Sequence, residues 1–384
     1  MIDIPQDILT DIVGRMLGGV RVALTSWSVD SIGYPGVSPH SRGLFRVRGS
    51  ANTSAGAREW SLILKAVQLV DDSPMSDETH PFYWKREALA YQSGLLPHQP
   101  DGLAAPVCFG VTERSDTSLW LWLEAIDEPG TDSWTISRFA LAAADLGRFN
   151  GAYSGASALP AAPWLSRGLM RAWVADSAYL IECVQDPSVW KHPLLCDTTL
   201  RSFVPAILQL WDQREAWFTR LEQLPQTLCH HDFWRKNLLA RGSAGHRQQT
   251  VAIDWEVVGL GAAGEDLGNL IGVSLLNFDI DAQDALVFAD TMLDNYAQGL
   301  QRAGWHGDLR VMRATAQASA SLRCVFSTAC WPAAIVRNPD TSAQFIYESE
   351  QRWGRPIEAI FAQWAAVTAF LLAQAAEAGT ILHL

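Results

Sequence analysis

Paired cysteines are missing from this sequence. Its six, Cys108, Cys183, Cys196, Cys229, Cys324 and Cys330, lie apart, with no C-x-x-C and no second pair at zinc-like spacing. Six in 384 residues make no disulfide framework, and buried thiols in a reducing compartment are expected. Basic residues are also scarce: 29 against 41 acidic ones, for a net charge of −12. A protein that covers nucleic acid with its surface must replace the counterions of a phosphate chain, so no nucleic-acid partner is expected. The first residues, Met1-Ile2-Asp3-Ile4-Pro5-Gln6-Asp7, lack the basic and apolar regions of a signal peptide. No apolar run approaches the roughly 20 residues that span a bilayer. No membrane partner and a cytoplasmic location are therefore expected. Internal repeats and long low-complexity runs are absent too.

What is present is core material: 48% of the residues are hydrophobic and 18% charged, with 17 tryptophans. That composition supports a sizeable buried core and excludes global disorder. The acidic balance lightly favours a cationic small-molecule partner by long-range attraction.

The apolar period changes along the chain. Ile4, Ile8, Ile12 and Met16 recur as on an amphipathic helix over 4–17. Strands are expected over 20–24, 43–48 and 60–67, with turn signals at Gly33, Tyr34, Pro35, Gly36 and Pro39, and again between Ser50 and Gly56. After a polar stretch from Asp71 to Pro81, a helix is expected over 82–95, ended by Gly94 and Pro97. Strands over 107–111 and 119–123 follow. The first third thus reads as an antiparallel sheet with one inserted helix. Beyond Glu128-Pro129-Gly130 the composition shifts, Asp132 is placed to cap a helix over 136–152, and further helices are expected over 169–184 and 200–221. The natural hinge lies near 125–130. It divides residues 1–125, a sheet-based nucleotide-binding lobe, from 126–384, a helical lobe for catalysis and substrate binding.

The helical part is interrupted between Thr227 and Asp254, and the chemistry gathers there. The segment Leu228-Cys229-His230-His231-Asp232-Phe233-Trp234-Arg235-Lys236-Asn237-Leu238-Leu239 is followed, past Gly242 and Gly245, by Val251-Ala252-Ile253-Asp254-Trp255-Glu256. Phosphoryl transfer needs a positioned nucleophile and charge stabilisation by Mg²⁺. Asp232 is suited to orient an attacking hydroxyl. Asn237 and Asp254 offer oxygen ligands of the kind hard Mg²⁺ takes. H-x-D-x-x-x-x-N followed by an Asp at a strand end is the layout of a kinase catalytic loop and its metal-binding Asp. Upstream, Lys65 sits in the apolar strand Leu62-Ile63-Leu64-Lys65-Ala66-Val67, and Glu87 on the next helix. A kinase holds the phosphates of its nucleotide with such a lysine, itself held by a helix glutamate. Taken singly, Lys65 also fits an edge position facing water, and Glu87 a solvated helix face.

These residues resemble the aminoglycoside phosphotransferase and choline kinase family, whose fold is similar to that of protein kinases. The resemblance runs from about Leu44 to Asp266 and includes Gly264-Glu265-Asp266-Leu267-Gly268, similar to the family's downstream Asp-Leu segment. It implies an α+β, protein-kinase-like two-lobed fold: a small antiparallel-sheet N-lobe with one helix and a larger, mostly helical C-lobe. It implies ATP or GTP and Mg²⁺ as cofactors, bound between the lobes. Lys65 becomes the phosphate-contacting lysine and Glu87 its partner, Asp232 the catalytic base, and Asn237 and Asp254 the Mg²⁺ ligands. His230 and Asp266 become structural anchors, and 120–125 the strand that meets the adenine. Two features depart from the family. His231 stands where Gly is usual, and either reshapes the substrate side of the loop or points to solvent. No G-x-G-x-x-G lies between the first strands, where Ser31 to Gly36 is the nearest turn able to cover phosphates.

The implied activity is O-phosphorylation of a small-molecule hydroxyl on an antibiotic, amino sugar or amino alcohol, with antibiotic resistance as one setting. A peptide Ser/Thr kinase in natural-product maturation and a non-catalytic kinase-like scaffold remain as alternatives. Glu265, Asp266, Asp279, Asp281 and Asp284 are candidates to face a cationic acceptor or to be solvated. Trp331, Tyr347 and Trp353 are candidates for stacking or for plain packing.

Overall fold

The computed structural model describes residues 2–33, 40–70, 73–96, 102–127, 134–154, 159–242 and 248–384. Tyr34, Pro35, Gly36, Pro39, Asp71, Pro97, Glu128, Pro129, Gly130, Asp132 and Gly245, singled out above as turn, hinge or cap residues, lie outside the described residues. In chain order the elements are α1 (Gln6–Met16), β1 (Ala23–Ser31), β2 (Ser41–Thr53), β3 (Gly56–Gln68), α2 (Arg86–Gln92), β4 (Cys108–Ser115), β5 (Ser118–Glu124), α3 (Ile136–Ala152), α4 (Leu169–Ala175), α5 (Ala178–Gln185) and α6 (Leu200–Gln223). There follow β6 (Gln226–Cys229), β7 (Leu238–Arg241), β8 (Gln249–Ala252), β9 (Gly259–Ala262), α7 (Glu265–Leu276), α8 (Ala285–Arg302), α9 (Leu309–Arg337), α10 (Pro339–Trp353) and α11 (Ile357–Leu382). The chain divides into two compact units. The first comprises Met1–Pro100, Ala104–Pro129 and Leu239–Glu256; the second comprises Asp101–Leu103, Gly130–Leu238 and Val257–Leu384. The segment carrying Asp254 thus groups with the sheet, far from it in sequence.

The first unit is built on an antiparallel sheet of order β1-β2-β3-β5-β4. Residues alternate across β3 because side chains on a strand point to opposite faces in turn. Trp60, Leu62 and Leu64 pack with Trp120, Trp122 and the α1 residues Leu9, Ile12 and Val13. Ile63 and Val67 pack on the other face with Leu119, Leu121, Leu123 and the α2 residue Ala88. Lys65 shares that second face by its place in the alternation, between Leu44 of β2 and Leu121 of β5. A lysine in the middle of a sheet is therefore interior, and the edge alternative fails.

Several boundaries differ from the sequence reading. β1 starts later and runs longer than 20–24, because its polar residues sit on an exposed edge where Asp30 pairs with Arg48 at 3.0 Å. β2 and β3 run through the expected turn to a two-residue hairpin, with Thr53 opposite Gly56. α2 is shorter than 82–95: the Asp77 carboxylate accepts from Thr79 N at 2.9 Å, and His80 Nδ1 from Phe82 N at 3.1 Å. Such local side-chain bonds favour turns over helix. The helix expected over 169–184 is two helices, broken where Ser177 N bonds Val174 O at 2.9 Å in a tightened turn. α3 spans the expected 136–152, and the Thr135 side chain caps it by accepting from Arg138 N.

The second unit is mostly helical. α9 packs against α4, α5, α6, α7, α10 and α11. Contrary to the sequence reading, two helices among the described residues, α9 and α11, are long and apolar enough to cross a membrane, with mean hydropathies of 1.2 and 1.5 over their most apolar stretches. Of those stretches, 78% in α9 and 44% in α11 is buried within the protein.

α3 and α8 cross at glycines. A Cβ on Gly147 would lie 2.2 Å from Tyr296 O, and one on Gly299 2.2 Å from Ala144 O. This close approach lets Tyr296 reach Asn150 across the pair, with Oη to Oδ1 at 2.8 Å. Gly147→Val should force the helices apart and cost about 2 kcal/mol or more, read as a lowered urea midpoint. An unchanged midpoint would contradict the close crossing.

Candidate active site

In the first unit three distant segments meet at one ammonium. Lys65 Nζ on β3 donates to Glu87 Oε2 of α2 at 2.6 Å and to Asp254 Oδ1 at 2.5 Å. The side chains of Lys65 and Glu87 are 13% and 5% exposed, that of Asp254 26%. Burial opposes the lysine's charge, but the carboxylates of Asp254 and Glu87 outweigh it and hold the ammonium well above its usual pKa. Burial pushes the Glu87 carboxyl up, against the pull of Lys65.

Asp254 is brought there by its backbone. β8 is tied on one side to Ala104, whose N–H bonds Thr250 O at 2.9 Å and whose carbonyl accepts from Ala252 N at 2.8 Å. On the far side Trp255 N donates to Glu87 Oε1 at 3.1 Å, and Trp255 Nε1 to Ala252 O at 2.8 Å. The buried Arg86 donates to Glu256 O at 3.1 Å. Burial lowers its pKa to about 10. Between these ties Asp254 adopts φ of 65°, the left-handed region that a non-glycine residue enters at a cost.

The second unit holds the other cluster. β6 pairs antiparallel with β9 and delivers the chain to His230. Asp266, at the start of α7, accepts from His230 N at 2.8 Å with one oxygen and from His231 N at 2.6 Å with the other. Burial raises the Asp266 carboxyl, while His230 and the two backbone bonds pull it down. Asn150 Nδ2 bonds Leu228 O at 2.7 Å, and Gly264 N bonds Tyr296 Oη at 3.0 Å, so helix α3 and helix α8 brace the same corner. His230 is buried and its Nδ1 accepts from Asp232 N at 3.2 Å. Asp266 and His230 thus both accept hydrogen bonds from the loop's backbone.

Asp232 is held from two sides. Arg323 Nη2 donates to its Oδ1 at 2.9 Å, and Asn237 Nδ2 to its Oδ2 at 2.7 Å. Trp234 Nε1 also points at Oδ2, at 3.3 Å. Because the Asn237 nitrogen is engaged, also with Asp232 O at 2.9 Å, its oxygen is the acceptor that remains. Arg323 further donates to His231 O at 2.8 Å and lies 4.2 Å over the Trp173 ring. The sequence reading missed Arg323 and Arg86. Arg323 did leave a signal: it is the sole charged residue between 314 and 336.

His231 has φ of 65° and is buried. The left-handed backbone explains why glycine suits this position, and the side chain does not point to solvent. It lines a cavity of about 390 Å³ within this unit, together with Arg167, Phe218, Glu222, Gln226 and Glu265. Burial lifts the Glu265 carboxyl to about 7. Of the more distant candidates, Asp281 pairs with Arg355 at 3.2 Å. Trp331 and Trp353 pack on Trp364, with centroids at 5.8 and 5.2 Å, while Tyr347 is exposed.

Asp266→Asn would set an amide NH₂ against one of the loop's two backbone N–H groups. It should destabilise the protein by about 2–3 kcal/mol, the loss of a bond to a charged acceptor inside the core. Urea unfolding checks this, and an unchanged midpoint would remove Asp266 as the anchor.

The family model described as "Phosphotransferase enzyme family" matches residues 79–308, a span that includes Glu87, Asp232, Asn237, Asp254 and Asp266. Among solved structures, an aminoglycoside phosphotransferase from Alicyclobacillus acidocaldarius subsp. acidocaldarius DSM 446 is 15% identical with a TM-score of 0.50, covering 100% of this chain and 98% of that one. A spectinomycin phosphotransferase, solved with ADP and spectinomycin, is 14% identical with a TM-score of 0.48, covering 97% and 100%. No curated protein sequence matches. The architecture is α+β and protein-kinase-like. With more than half of its length matched by the model, the chain belongs to the phosphotransferase enzyme family.

Proposed function

We propose that the protein is a Mg²⁺-dependent O-phosphotransferase. It moves the γ-phosphate of ATP or GTP to a hydroxyl of a small molecule, of the antibiotic, amino-sugar or amino-alcohol class. One observation carries this reading: in a chain of the phosphotransferase family, Asp232 is fixed by Arg323 on one oxygen and by Asn237 on the other. A carboxylate so held has little freedom to turn, which is what orienting a nucleophile requires.

Each residue then has a part. Asp232 accepts a hydrogen bond from the acceptor hydroxyl and takes its proton as the new P–O bond forms and the bond from the γ-phosphorus to the bridging oxygen breaks, releasing the nucleoside diphosphate. Lys65, kept charged by Glu87 and Asp254, contacts the nucleotide phosphates. Asn237 through its remaining oxygen, and Asp254 through Oδ2, would hold Mg²⁺. The oxygen chemistry of this pair fits that ion. Bound there, Mg²⁺ supplies charge stabilisation to the transferring phosphoryl group. Arg323 positions Asp232 and balances its charge.

Asp232→Ala should cut turnover at least about 100-fold while nucleotide affinity stays near that of the wild type. Steady-state kinetics beside nucleotide titration reads both, and undiminished turnover would remove Asp232 from the chemistry. Asp254→Ala should instead weaken Mg²⁺-dependent nucleotide binding about tenfold or more. Calorimetry with and without Mg²⁺ measures this, and an unaltered metal dependence would overturn its assignment.

A further inference from the structure

Behind the loop that presents Asp232 lies a second set of chemical groups that the proposed reaction does not use. The Sγ of Cys229, a ring nitrogen of His231 and a carboxylate oxygen of Asp266 all lie within 4.8 Å of one another, and the three residues are buried. Gly261 of β9 borders the same spot. A Cβ built on it would sit 2.8 Å from His231 Cε1 and 3.1 Å from both Cys229 Sγ and Glu265 Oε2. The missing side chain thus lets a thiol, an imidazole and a carboxylate pack closely around the glycine. His231 and Glu265 also line the cavity of about 390 Å³.

We propose that Cys229, His231, Asp266 and Glu265 form a binding site for one zinc-like transition-metal ion. The donor set decides the class of ion. Thiolate and imidazole select Zn²⁺ and similar borderline ions, whereas Mg²⁺ takes oxygen ligands. A tetrahedral zinc site places sulfur at about 2.3 Å and nitrogen and oxygen at about 2.0–2.2 Å, so the side chains close in by on the order of 1 Å. On binding, the Cys229 S–H bond breaks, its proton leaves to solvent, and a sulfur–metal bond forms with no change of oxidation state. Asp266 keeps its two backbone donors, since each carboxylate oxygen has a second lone pair. The bound ion would clamp β6, β9 and the start of α7 at the base of the loop.

The test is a Co²⁺ titration of the full chain after treatment with a chelator, followed by optical absorption. One equivalent should produce a thiolate-to-cobalt charge-transfer band with tetrahedral d–d bands, and Zn²⁺ should displace them. Cys229→Ser should abolish the charge-transfer band. His231→Gly is the second variant, because φ of 65° suits glycine and the fold is expected to tolerate it. It should weaken binding at least about tenfold and lose the rise in melting temperature that Zn²⁺ gives the wild type. Absence of the band in the wild type, or its persistence in both variants, would overturn the site. None of these readouts depends on phosphotransferase activity.

Discussion

Both clusters of this protein depend on the same constraint: a buried carboxylate that receives backbone N–H groups beside a residue in the left-handed region. Asp266 takes the N–H groups of His230 and His231, and His231 has φ of 65°. Glu87 takes the N–H of Trp255, and the neighbouring Asp254 also has φ of 65°. A left-handed backbone at a non-glycine residue costs on the order of 1–3 kcal/mol and persists where its surroundings over-determine it. Here charge-assisted bonds on one side and paired strands on the other do so. The turned backbone then presents Asp232 in one unit and Asp254 in the other. Strain at a loop and stiffness around it are two sides of one arrangement.

The same logic explains why so many charged groups are interior. Lys65, Glu87, Arg86, Asp266 and Arg323 are buried or nearly so, which would be costly for isolated charges. Each is instead answered by a named partner: an opposite charge, a backbone carbonyl or a backbone N–H. Removing one member leaves its partner uncompensated, so these residues act as sets. In the proposed reaction, Arg323 and Asn237 spend their donors on fixing Asp232, and Glu87 spends one oxygen on Lys65 and the other on Trp255 N.

Much of this was legible in the sequence. The alternation of 60–67 located β3, and with it the face that Lys65 shares with Ile63 and Val67. The spacing from His230 to Asn237 located the loop, because local chain geometry decides which of those groups can meet. Helix α3 was legible to its ends. The helix over 169–184 was not, since Asp176 and Ser177 look acceptable in a helical period until a tightened turn is formed there. Arg323 and Arg86 were not identified because their partners, Asp232 and Glu256, lie 91 and 170 residues away, and no local pattern encodes such a pairing. The burial of His231 was missed for a related reason: its neighbours Gly261 and Glu265 arrive only when β9 pairs with β6.

The central claim is that this chain transfers a phosphoryl group to a small hydroxylated molecule. Incubation of the purified protein with Mg²⁺, ATP or GTP, and single acceptors from a panel of aminoglycosides, other hydroxylated antibiotics, amino sugars and amino alcohols tests it most directly. The products would be read by mass spectrometry. The account predicts a phosphomonoester of one acceptor class, formed with stoichiometric release of the nucleoside diphosphate. Nucleotide bound by the protein, with no phosphorylated product from any acceptor in the panel, would contradict it.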